Sequence, residues 1–115
     1  MASDRMRRVN EAMREVLSDA TSRGLKDPRV GFVTVTDVDT SPDLRHAKVF
    51  VSVLGPPEQQ EASLDGLRSA HGYLQRRVGS ELRMKRTPTL DFVLDPTAAK
   101  AARLTELLDE EGRSR

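Results

Sequence analysis

The chain has 115 residues, 37% of them apolar and 32% charged, with a net charge of +1, which suits one domain built around one core. It has no cysteine, which excludes disulfides and thiolate metal sites. No apolar run approaches the ~18 residues of a membrane span. The charged opening MASDRMRRVNEAMREVL has no signal-peptide core, so a cytoplasmic protein with no membrane partner is expected.

Residues 4–23 predict a helix. Val9, Ala12, Met13, Val16, Leu17 and Ala20 recur at helical spacing. Ser3 or Asp4 caps its start, and Gly24 with Pro28 ends it. Residues 30–39, VGFVTVTDVD, are rich in β-branched residues and predict a strand. DTSPDL follows as a turn with Pro42 and Asp43 at its tip. Residues 46–54 predict a second strand, with Ala47, Val49, Val51 and Val53 alternating with His46, Lys48, Phe50 and Ser52. The short turn makes the two strands an antiparallel hairpin.

Gly55-Pro56-Pro57 breaks the chain. Residues 58–84 read as helical, with Leu64, Leu67, Ala70, Leu74, Val78 and Leu82 on one face. Thr87-Pro88 stops that run. Residues 89–95 predict a third strand, with Leu90, Phe92 and Leu94 on one side. The order is α-β-β-α(α)-β, an α+β domain with helices packed on one face of a three-stranded sheet. The domain spans residues 1–96. Residues 97–115 are a tail, disordered or carrying a short helix around Leu104, Leu107 and Leu108.

Enzymatic chemistry is poorly supported. His46 and His71 lie in different elements and fit no spaced metal motif. Asp37, Asp39 and Asp43 lack the central glycine and distal glutamate of a calcium loop, and a strand end with its turn explains them. No phosphate-binding glycine loop and no G-x-S-x-G elbow is present. The expectation is a non-enzyme without cofactor, metal or small-molecule substrate.

Charge is polarised along the chain. Residues 57–67 carry a local balance of −3, and residues 68–86 carry +5. On a regular helix the leucine–valine stripe faces the sheet. Arg76, Ser80 and Arg83 then lie opposite, flanked by Gly72 and Tyr73. Arginine forks match phosphate geometry, and a glycine beside them lets a nucleic-acid backbone approach. The plainer alternative is a solvated arginine-rich face. Gly72 also offers a point where one helix ends and another begins. Gly79 has no evident role. The candidate phosphate contacts are Arg76, Arg77, Arg83, Lys85 and Arg86, with Arg5, Arg7 and Arg8 as a second patch. Aromatics are few and form no RNP motif, so base stacking on a sheet is not expected.

Two long stretches carry a family resemblance: DPRVGFVTVTDVDTSPDLRHAKVFVSVLG, residues 27–55, and LRSAHGYLQRRVGSELRMKRTPTLDFVLD, residues 67–95. With them the chain resembles the ribosome-binding factor A family of bacteria, over nearly its whole length. The resemblance implies a type II KH fold, α-β-β-α-α-β, with an interhelical kink at Ala70, His71 and Gly72. The first glycine of the KH G-x-x-G motif is absent, so the ordinary single-strand clamp is not implied. The resemblance also implies binding to the small ribosomal subunit and 16S rRNA during late assembly, by a protein that is monomeric when free. It implies help in maturing the 5′ end of 16S rRNA, especially in the cold. The rival readings are a general single-stranded RNA-binding module and a protein-interaction domain that meets an acidic partner.

Overall fold

The computed structural model describes residues 3–23 and 25–97. Its elements are α1 (Asp4–Ser22), β1 (Val33–Thr40), β2 (His46–Val53), α2 (Pro57–Ser69), α3 (His71–Glu81) and β3 (Thr89–Leu94). The expected α+β order is therefore present. The strands lie in the order β1-β2-β3, with β1 antiparallel and β3 parallel to β2. A parallel return needs a long crossover, and α2 with α3 supplies it. The expected tail helix around Leu104 lies outside the described residues.

In α1, Ser3 accepts a hydrogen bond from the Met6 N–H at 3.2 Å and caps the first turn. Met13, Leu17 and Ala20 are buried against the sheet, with Val9 and Val16 at the margin. The predicted first strand starts later than expected, at Val33. Residues ahead of it are turned: the Val30 N–H bonds to Asp27 O at 3.2 Å, and the Gly31 N–H bonds to Ser63 Oγ at 3.1 Å. Phe32 therefore lies outside the strand and is 82% exposed.

The apolar parity of β1 flips between Val35 and Val38, both buried. A bulge between Val35 and Asp37 absorbs the change, because one extra residue restores the inward direction. Thr36 is that residue. Its hydroxyl reaches Phe50 O at 3.2 Å and Asp95 Oδ2 at 2.6 Å. In β2, Ala47, Val49, Val51 and Val53 are buried, as their alternation requires. The core closes with Leu64, Leu67, Leu74, Val78, Leu90 and Phe92.

The role of Gly79 becomes clear in this packing. A Cβ on Gly79 would fall 2.4 Å from Thr87 Cγ2. The Thr87-Pro88 segment crosses α3 there on its way into β3, and only a bare backbone leaves room.

Candidate nucleic-acid interface

The run predicted as one helix over 58–84 is two. Ala70, at φ −86° and ψ 8°, is both the C-cap of α2 and the N-cap of α3. Its N–H is shared between Gly66 O and Leu67 O, each at 3.1 Å, and its carbonyl accepts the Leu74 N–H at 3.0 Å. The break thus falls one residue ahead of His71, and Gly72 lies inside α3. Gly72 does not make the turn, contrary to expectation: it has no positive φ.

His71 holds the kink to the sheet. The Thr89 N–H faces inward, to Arg45 O at 2.8 Å, so the next N–H, of Leu90, faces the outer edge of β3. His71 Nε2 accepts it at 3.0 Å, which places the ring proton on Nδ1. Arg68 reaches the same edge through Phe92 O at 3.4 Å.

Gly72 opens a surface. A Cβ there would meet only Arg76 Nη1, at 3.5 Å. The Arg76 guanidinium thus lies over bare backbone in the first turn of α3, where N–H groups have no partner in their own helix. Anions favour such helix starts.

Arg83 is not on that helix face. The predicted alignment of Arg76 and Arg83 two turns apart fails because α3 ends at Glu81. Arg83 is left-handed, at φ 52°, and the Met84 N–H bonds back to Gly79 O at 3.0 Å. That bond and conformation define a Schellman motif, whose left-handed position usually carries glycine. Lys85 and Arg86 follow in the exposed connection to β3. Arg76, Arg83, Lys85 and Arg86 have no carboxylate partner among the described residues.

Arg77 differs from its neighbours. It pairs with Asp19 at 3.0 Å and Glu81 at 3.2 Å, and donates to the Tyr73 hydroxyl at 3.1 Å. These bonds, Tyr73's foremost, hold its ionisation above the ordinary arginine value. Asp19 is held below the usual carboxylate range by Arg23 and then Arg77. Arg77 clamps α3 to α1 and is not a free cation. No periodicity could reveal this, since Asp19 is distant in sequence.

The second patch stands apart. Arg7 pairs with Asp4, while Arg5 and Arg8 are exposed. By numbering, Arg7 lies about 18 Å along α1 from Asp19, the level at which Arg77 is held, at 1.5 Å per residue. A groove beside Arg7 is lined by Asn10, Glu11, Asp37, Asp39 and Phe50, so its charge is mixed. The structure does not bring Arg5, Arg7 and Arg8 together with Arg76. Among the described residues, no group of three His, Cys, Asp or Glu side chains is placed to hold a metal ion, and no helix is long and apolar enough to cross a membrane.

Solved structures share this architecture. The crystal structure of ribosome-binding factor A from Thermus thermophilus is 26% identical, with a TM-score of 0.68 over 77% of this chain and 94% of that one. A solution structure of a Thermotoga maritima protein assigned to ribosome binding factor A is 30% identical, with a TM-score of 0.72 over 81% and 89%. A homology model of the Thermus thermophilus factor, as fitted into a cryo-electron microscopy map of its 30S complex, is 27% identical, with a TM-score of 0.62 over 73% and 88%. The profile of one family, described as ribosome-binding factor A, matches residues 5–108 and so runs from α1 through β3. With that profile and a shared α-β-β-α-α-β fold, the chain belongs to the ribosome-binding factor A family.

Proposed function

We propose that the chain is a non-enzymatic assembly factor that binds the small ribosomal subunit and meets the backbone of 16S rRNA through the start of α3 and the loop after it. One observation carries the reading: four cations, Arg76, Arg83, Lys85 and Arg86, lie close in sequence without carboxylate partners among the described residues. Six other arginines are paired: Arg7, Arg14, Arg23, Arg29, Arg68 and Arg77. Gly72 and the first turn of α3 add room and N–H donors beside Arg76. Family membership supports the partner, and the related factor fitted into a map of a 30S complex supports the subunit.

The interface acts by differential affinity. A protein that binds one rRNA conformation more tightly than its competitors raises the population of that conformation. Maturation of the 16S 5′ end, a stronger need in the cold, KH-like use of the kink, action as a monomer and a cytoplasmic location belong to the same proposal. Arg5 and Arg8 form a subsidiary contact, and Arg77 is left out because its charge is satisfied within the protein.

Sedimentation of cell lysate tests the reading. The chain should travel with free small subunits and be absent from 70S particles. Its deletion should leave 16S precursor extended at the 5′ end, more so in the cold. Migration at the top of the gradient would contradict it.

A further inference from the structure

We propose that the pocket between the α1–β1 loop and the α2–α3 kink receives one unpaired nucleobase, stacked on Tyr73. The proposal rests on the rRNA reading above and adds a contact to the base itself. The pocket is about 450 Å³ and is lined by Leu25, Lys26, Asp27, Ser69, Ala70 and Tyr73. That volume lies in the range of small-molecule sites. Leu25, Ala70 and the Tyr73 ring supply apolar surface, and Tyr73 is 42% exposed.

Both walls are held before anything binds. The Tyr73 hydroxyl accepts from Arg77 Nη1 at 3.1 Å, and Arg77 is fixed in turn by Asp19 and Glu81. On the opposite wall, Arg29 grips Asp27 at 2.6 Å and donates to Ser69 Oγ at 2.7 Å. This chain of bonds ties the α1–β1 loop to the end of α2. A preformed aromatic face loses little freedom when a base stacks on it.

The lining selects a base over a bare phosphate. Asp27 is a carboxylate on the wall whose charge is already matched by Arg29, so it offers an anion placed inside no attraction. Two cations are at hand: Lys26, an exposed residue of the lining, and Arg76, three residues along α3 from Tyr73 and hence its surface neighbour. A base within and its flanking phosphates near Lys26 and Arg76 satisfy both sets of groups. Stacking on an aromatic tolerates any base.

Tyr73 is the sole tyrosine and the chain has no tryptophan, so intrinsic emission reports on this ring alone. The full chain is titrated with single-stranded hexaadenylate and, separately, with inorganic polyphosphate of matching charge. Hexaadenylate should quench Tyr73 saturably, and polyphosphate should not. By calorimetry, Tyr73→Leu should bind hexaadenylate about tenfold more weakly, and Tyr73→Phe should stay near wild type. In the oligonucleotide titrations, four results overturn the proposal: hexaadenylate binding without quenching, equal quenching by polyphosphate, full affinity in a folded Tyr73→Leu, or no saturable binding up to about 1 mM. Co-sedimentation separates this from the broader reading. If wild type and Tyr73→Leu bind small subunits equally, the base pocket fails and the rRNA reading stands. If wild type does not bind small subunits, the rRNA reading itself fails.

Discussion

Arg83 occupies a backbone position that suits glycine. A non-glycine residue in the left-handed region costs about 1–2 kcal/mol. Here it ends α3 and presents a cation in the proposed interface. Arg83→Gly should therefore stabilise folding by about 1 kcal/mol while weakening subunit binding, read by thermal melts and co-sedimentation. A loss of stability would show that the arginine side chain contributes packing of its own. The two α3 glycines should also part company. Gly79→Ala places a methyl 2.4 Å from the stiff side chain of Thr87 and should lower stability by about 1–3 kcal/mol. Gly72→Ala meets only the flexible end of Arg76 and should raise helix stability by up to about 1 kcal/mol. Equal melting shifts for the two variants would mean that Thr87 yields freely.

At the scale of elements, the apolar pattern was legible where one element meets the core by itself. The α1 stripe and the β2 alternation appear as read, within a residue or two. The α2–α3 break was not legible from periodicity, because Leu67, Ala70 and Leu74 keep the stripe in phase through the kink. The resemblance supplied it. The late start of β1 depends on Ser63 holding Gly31, a contact between distant segments that local composition does not encode. The site was half legible for the same reason. Arg76 stands where the charge pattern put it, while Arg77 is captured by Asp19 from another helix.

The tie between the α1–β1 loop and α2 has a pH signature. Hydrogen bonds from the Arg29 side chain, then its backbone N–H, bring the Asp27 carboxyl to about 2 from an ordinary 3.8. The folded value lies below the unfolded one. The stabilisation from this pair is thus complete above about pH 4 and is lost as pH falls through about 2. A carboxyl NMR titration should give Asp27 a midpoint near 2. A midpoint near 3.8 would mean that Arg29 does not hold it.

The whole molecule carries a net charge of only +1, so its total charge gives no basis for the proposed contact with RNA. The basis is placement. Six arginines are neutralised locally, and between Arg76 and Arg86 four cations remain unpaired. A binding surface made this way depends on position, and charge swaps outside the proposed contacts should matter little. It should also release counterions, with each phosphate contact contributing roughly 0.7–0.9 to the log–log salt slope. The most direct measurement is the affinity for purified small subunits across a salt series, for wild type, Arg76→Glu and Arg45→Glu. Arg45 is exposed and without a carboxylate partner among the described residues, so both variants change net charge equally. The wild-type slope should be about −3 or steeper. Arg76→Glu should bind at least about tenfold more weakly with a flatter slope, and Arg45→Glu should bind near-natively. Equal weakening by the two swaps, or a wild-type slope near zero, would contradict the proposed interface.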